Sequence, residues 1–271
     1  MQAIRHFLLA LQYFTRIPLH GRIAAWVGFS PAMQRASLAH FPGVGWVIGA
    51  IASGSFYLLA MALPSASAAP WVAVSLSTVL TVLLTGAFHE DGLADLADGL
   101  GGTVSRVRAL EIMKDSRIGS YGATALVLGL SLKMALVTLL AQVDVGLAAW
   151  ALFAAHVSSR LMPLFLVALL PNVGADVTSK SRPLTRGIGM AALCVALFWT
   201  ALALLFTQCG LPGFFWIWAV GGCALAWLMM WRLLRRRLQG YTGDALGATQ
   251  QVCELAFYLG LLLGLPAGAG Q

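Results

Sequence analysis

GATALVLGLSLKMALVTLLAQVDVGLAAWALFAAHVSSRLMPLFLVALL, residues 122–170, decides the architecture. It reads as two apolar runs, 122–141 and 146–170, joined by the short polar stretch QVDV around Asp144. Each run is long enough to cross a hydrocarbon core of about 30 Å as a helix. Neither shows the ten-residue alternation of a membrane strand, so helices, which satisfy their own backbone, are expected. Similar runs occur at 38–62, 71–88, 188–207, 213–234 and 252–266. The expected fold is all-α, a polytopic integral membrane bundle of about seven transmembrane helices spanning 1–271 as one membrane-embedded domain. Composition agrees: 59% of residues are hydrophobic and 10% charged, against about 25% charged in soluble domains. The opening stretch, 1–14, reads as an amphipathic helix at the membrane surface.

The net charge of +7 raises the question of nucleic acid. Its distribution answers it. Of the 17 Lys and Arg, 15 fall in alternate connections: Arg5, Arg16, Arg22 and Arg35 before the first span; Arg106, Arg108, Lys114 and Arg117 between the second and third; Lys180, Arg182 and Arg186 after the fourth; Arg232, Arg235, Arg236 and Arg237 after the sixth. Basic residues retained on one side report topology, which places the N-terminus in the cytoplasm and excludes a nucleic-acid partner. The partner of the apolar surface is the lipid bilayer. No cleavable leader is expected, because Arg16 and Pro18 interrupt the first apolar stretch. The four cysteines form no CxxC pair and read as small apolar residues.

Sorting by charge acts weakly on acids, yet Glu90, Asp91, Asp95, Asp98, Glu111 and Asp115 share one connection, with Asp176, Asp244 and Glu254 on the same side. Chemistry at the cytoplasmic face is the simplest cause. In HEDGLADLADGLGG, residues 89–102, Asp91, Asp95 and Asp98 are spaced i, i+4, i+7 and share one helix face. Like charges one turn apart repel unless a cation holds them. All-oxygen ligands beside a membrane surface suit Mg²⁺, which often shares its shell with phosphate. Glu90 points elsewhere on that helix but could join from the end of the span. A solvated acidic cap is the bland alternative.

In EIMKDSRIGSYGA, residues 111–123, Lys114 and Arg117 precede a Gly119-Ser120 turn at a helix start, a plausible anion cradle. Topology anchoring explains the basic pair equally well. YTGDALGATQQVCE, residues 241–254, offers Asp244 as a further ligand, or alternatively reads as a plain helix start with Asp or Thr as cap. Arg160, with His156 one turn earlier, lies inside the fourth span and is expected at the floor of a cleft facing the acids. Lys133, inside the third span, is expected to pair or snorkel. His89 beside Glu90 reads as structural more often than as a base. These features alone describe a metal-dependent membrane enzyme acting on a phosphate or diphosphate.

The segments EDGLADLADGLGG and RALEIMKDSRIGSYGA, with LQYFTRIPL, HFPGVGWVIGA and GDALGATQQVCE in the same order, resemble the adenosylcobinamide-GDP ribazoletransferase family, also called cobalamin-5′-phosphate synthase. The resemblance covers most of the chain. It implies an Mg²⁺-dependent inner-membrane transferase of the last steps of nucleotide-loop assembly in vitamin B12 biosynthesis, with its active site facing the cytoplasm. Such an enzyme joins adenosylcobinamide-GDP to α-ribazole, or to its 5′-phosphate, and releases GMP. The ribose 3′-hydroxyl would attack the phosphorus attached to cobinamide. The resemblance further implies Glu90, Asp91, Asp95 and Asp98 as the metal and diphosphate site, Lys114 and Arg117 as phosphate contacts and Asp244 as a distal contributor. With the residue readings above, Asp91, Asp95 and Asp98 are expected to be catalytic, and Ser120 and Arg160 to join Lys114, Arg117 and Asp244 as substrate contacts. A homo-oligomer, or association with other enzymes of the same assembly, is compatible with it.

Two other readings compete. CDP-alcohol phosphatidyltransferases also use spaced aspartates at a helix end, but the Asp91-Gly92 pair is followed by Ala94-Asp95 without their arginine. A transporter for a metal or corrinoid would carry acids at mid-membrane on several spans.

Overall fold

The computed structural model describes residues 1–102, 104–174, 187–210, 213 and 216–266. Asp176, Lys180, Arg182 and Arg186 lie outside the described residues. The chain begins with three short helices, α1 (Gln2–Phe14), α2 (Gly21–Val27) and α3 (Pro31–Ser37). A 3₁₀ turn, Leu38–His40, leads into α4 (Phe41–Ala62). Then follow α5 (Ala69–Thr85), α6 (Phe88–Gly101), α7 (Arg106–Met113), α8 (Ser120–Val143) and α9 (Val145–Leu169). The remaining helices are α10 (Met190–Gly210), α11 (Trp216–Arg237) and α12 (Gly243–Gly264).

Six stretches are long and apolar enough to cross a membrane, and the bent pair α5–α6 makes a seventh. The polytopic helical fold read from the sequence is therefore the one observed. The exterior is apolar where lipid would lie, with Leu58, Leu83, Val127, Leu205 and Leu263 exposed. α9 is the axis of the bundle, with 83% of its span buried, and packs against α4, α8, α10, α11 and α12.

Bare backbone makes the tightest contacts. A Cβ on Gly45 would stand 2.6 Å from the carbonyl oxygen of His156, and one on Gly49 would stand 2.9 Å from that of Phe153. A Cβ on Gly222 would stand 2.5 Å from the carbonyl oxygen of Ala256. Without a hydrophobic drive between helices in lipid, this close approach is what lets van der Waals packing hold them together. Cys223 and Cys253 are buried core residues as expected, whereas Cys194 is exposed.

Two boundaries differ from expectation, and both matter for the site. The second span stops at Thr85, because Gly86 (φ 68°) and Ala87 (φ 59°) both take left-handed backbone. The next helix, α6, leaves at 87° to α5. At about 1.5 Å per residue the 17 residues of α5 reach across most of the core, so α6 lies across the bundle's mouth. The last helix begins at Gly243 rather than at 252 and carries Asp244 in its first turn. Glu254, expected at the cytoplasmic entry of the last span, is instead midway along α12 and 1% exposed. Hydropathy missed the start because this helix turns its polar residues toward other spans rather than toward lipid.

Candidate functional site

Glycines set the geometry here too. A Cβ on Gly92 of α6 would stand 2.7 Å from the carbonyl oxygen of Asp244, and one on Gly247 would stand 3.3 Å from the Cα of His89. The two helices meet backbone to backbone, which brings Asp91 and Asp95 beside Asp244. The start of α12 is itself fixed: Thr242 accepts a hydrogen bond from the amide of Ala245 at 3.1 Å. The amide of Tyr241 donates to Pro171 at 2.9 Å, tying this turn to the end of α9. Of the two capping residues considered, Asp and Thr, it is Thr242 that caps the helix, which leaves Asp244 uncommitted to that role.

Asp95 feels the crowding. Partial burial, then the charges of Asp91, Asp244 and Asp98, raise its pKa to about 6. Such a set of like charges retains a proton or binds a cation.

Asp98 is placed differently from its two partners on the face. Its carboxylate accepts from the amides of Gly119 at 2.7 Å and Gly122 at 2.8 Å. The Gly/Ser turn at the start of α8, expected to cradle a phosphate, holds the Asp98 carboxylate instead. A Cβ on Gly119 or Gly122 would collide with that carboxylate. Asp98 therefore joins α6 to the positive end of the α8 dipole.

The expected phosphate contacts divide. Lys114 ends α7 and lines the same cavity as Asp244. Arg117 is exposed and forks onto Asp115 at 2.6–3.2 Å, which holds the Asp115 carboxyl down at about 2. Ser120 lines a separate pocket with Leu93 and Tyr121. Two basic residues read only as topology markers brace the site instead. Arg106 donates to the Leu238 carbonyl at 2.6 Å, and Arg237 donates to that of Gly102 at 2.9 Å.

Beneath α6 lies a buried polar cluster. Lys133 Nζ pairs with Glu254 Oε1 at 2.7 Å, so the expected partner of Lys133 is an acid read as the cytoplasmic entry of the last span. Glu254 also accepts from Gln250 at 2.6 Å and from Tyr258 at 3.1 Å. Arg160 is 1% exposed and donates to the carbonyl of His156 at 2.8 Å. Its guanidinium lies 5.8 Å from the centre of the Phe41 ring. Arg160 lines a small polar pocket with His89, Glu90 and Gln251, and not the cavity that Asp244 lines. Glu90 accepts from Gln251 at 3.0 Å and so links α6 to α12. The pair Gln250-Gln251, four and three residues before Glu254, was the sequence signal for this cluster.

The described residues contain no group of three His, Cys, Asp or Glu that would hold a metal alone. An open set of oxygen donors remains: Asp91, Asp95 and Asp244. Mg²⁺ takes one or two protein carboxylates and completes its shell with water and phosphate oxygens. The residues present fit that ion better than a closed, all-protein cage would.

The profile of one family, described as cobalamin-5-phosphate synthase, matches residues 6–262. The chain is 54% identical to a protein of Albidiferax ferrireducens named adenosylcobinamide-GDP ribazoletransferase, covering 97% of this chain and 99% of that one. Proteins of the same name from Polaromonas naphthalenivorans and Leptothrix cholodnii are 52% and 47% identical, over 98% and 96% of this chain and 100% and 96% of theirs. No solved structure matches.

Proposed function

Since the chain belongs to the cobalamin-5-phosphate synthase family, we propose that it transfers the cobinamide phosphate of adenosylcobinamide-GDP to α-ribazole or its 5′-phosphate, with release of GMP. The ribose 3′-hydroxyl oxygen bonds to the phosphorus attached to cobinamide. The bridging P–O bond breaks, and its electrons leave with GMP. The observation that carries this reading is the contact of Gly92 with the Asp244 backbone, which sets two carboxylates of α6 beside one of α12.

Asp91, Asp95 and Asp244 would hold Mg²⁺, which when bound neutralises charge on the diphosphate. Lys114 at the cavity rim supplies a second positive charge for a phosphate. An aspartate of this set takes the hydroxyl proton. Asp98 acts one step back, holding α6 to α8. Arg160 and Glu90 support α6 from below and are positioning residues. By the sorting of basic residues this face is cytoplasmic, and the family implies the inner membrane.

Purified protein in nanodiscs, given adenosylcobinamide-GDP, α-ribazole and Mg²⁺, should release GMP. Absence of GMP sinks the transferase reading, and release that persists undiminished in EDTA sinks the role of the metal. Among the described residues, Glu254 is the one acid buried at mid-span, and it is already paired with Lys133. That is not the multi-span acid pathway a transporter would show.

A further inference from the structure

A cavity of about 430 Å³ opens beside the carboxylates. One wall is a continuous run of rings. Phe14 stacks on Phe41 with centroids 4.2 Å apart, Phe41 stacks on His89 at 5.8 Å and 12°, and Phe88 meets Phe14 edge-on at 6.0 Å. Leu164 of α9 and Leu246 of α12 contribute aliphatic surface. Lys114 and Asp244 are the charged residues in its lining. Small-molecule sites have this character: apolar and aromatic walls, with a few polar groups that fix orientation.

Asp244 belongs both to this cavity and to the carboxylate set. A ligand seated against the rings can therefore present a hydroxyl to Asp91 and Asp95. Resting on the transferase reading above, we infer that this cavity is the subsite for the aromatic base of the acceptor nucleoside.

Three parts of the substrates compete for the space. The corrin macrocycle with its side chains is too large for it. Guanine carries an exocyclic amine and a carbonyl. In the lining, Asn172 already accepts from the Gly174 amide at 3.0 Å and Thr242 from the Ala245 amide at 3.1 Å, so burying those groups is costly. The benzimidazole base of ribazole is flat and bicyclic and has no exocyclic hydrogen-bonding group. It matches an aromatic wall, because every such base offers a face to stack.

Gly243 provides the test. It lines the cavity, and a Cβ built on it meets no atom within 4 Å. The fold therefore accepts Gly243→Leu, whose side chain then takes up cavity space. Binding of radiolabelled α-ribazole to the full chain in nanodiscs, without Mg²⁺ or donor, should be saturable and should resist excess GMP. Gly243→Leu should weaken that binding and raise KM for α-ribazole about tenfold, a usual penalty for a steric change in an apolar pocket. KM for adenosylcobinamide-GDP should stay as it was. Phe88→Leu, which removes a ring but keeps the apolar surface, should weaken α-ribazole binding to a smaller extent.

Displacement by GMP, or a rise in the donor KM instead, would overturn the assignment, as would an unchanged α-ribazole KM in a Gly243→Leu protein with normal melting. The two readings fail separately. Saturable α-ribazole binding without any GMP release sinks the transferase and keeps the subsite. Normal GMP release with cavity variants that do not affect α-ribazole sinks the subsite alone.

Discussion

Lys133 of α8 and Glu254 of α12 form an ion pair of 2.7 Å with side chains 5% and 2% exposed. The pair lies within two membrane spans, where neither charge has another route to water.

Breaking this pair from one side should be costly. Glu254→Gln alone should destabilise the protein by about 3–5 kcal/mol, because it leaves the buried Lys133 charge uncompensated. Lys133→Met should cost less, since Glu254 keeps Gln250 and Tyr258 as donors and His156 at 3.7 Å. Lys133→Met combined with Glu254→Gln should recover most of that loss. Thermal melting in one detergent across the four proteins checks it. Wild-type melting in both single variants would show that the pair has no such role.

The three aspartates of α6 should separate into two behaviours. Asp91→Asn and Asp95→Asn relieve like-charge repulsion, so melting should hold or rise. Mg²⁺ affinity and GMP release should fall by ~10–100-fold, as when a metal site loses a key group. Asp98→Asn should instead lower stability by about 1–2 kcal/mol, because it weakens a charge-assisted contact with the start of α8. Mg²⁺ titration and melting, run on the same three proteins, distinguish them.

Acid should compete with the metal. The folded pKa of Asp95, about 6, is above its ordinary value of 3.8, so the fold disfavours its charged form. Mg²⁺ affinity should be full well above pH 6 and fall about tenfold per unit below it, as one proton must be displaced. Without Mg²⁺ the sign for stability is opposite: the protein gains stability as pH falls from about 6 toward 4, because the folded state binds the proton more tightly. Calorimetric Mg²⁺ titrations at pH 5 and 7.5 test the first statement, and melting without metal tests the second. An Mg²⁺ affinity equal at both pH values would remove Asp95 from the site.

The glycine contact at Gly92 should be intolerant. Gly92→Val pushes α6 off the Asp244 backbone, which a Cβ already approaches to 2.7 Å. Overpacking of this kind costs about 1–3 kcal/mol, and activity should fall much further than melting does. Gly54→Ala, whose Cβ meets nothing within 4 Å, is the matched control. Equal GMP release from the two variants would mean that this approach does not set the site.

The spans that face lipid were legible in the sequence. The third and fourth, read as 122–141 and 146–170, are observed as Ser120–Val143 and Val145–Leu169. Asp91, Asp95 and Asp98 on one helix face were legible too, because periodicity is a local property. The fate of Asp98 was not, since its amide partners lie 21 and 24 residues along the chain. Nor was Glu254: a hydropathy reading takes a polar run as surface, and it cannot see Lys133 arriving from α8. The bend after Thr85 rests on the backbone angles of Gly86 and Ala87, which no apolar pattern encodes.

That bend turns α5 into a ruler. It joins the α4–α5 connection on one side of the membrane to the acidic shelf on the other, and its left-handed stop fixes where α6 departs. Adding one residue to α5 would raise the departure point by about 1.5 Å and rotate it by roughly 100°. The carboxylates would then swing away from Asp244 although none of them had changed. The alignment of the site is thus written partly in the length of a helix that contributes no acid to it.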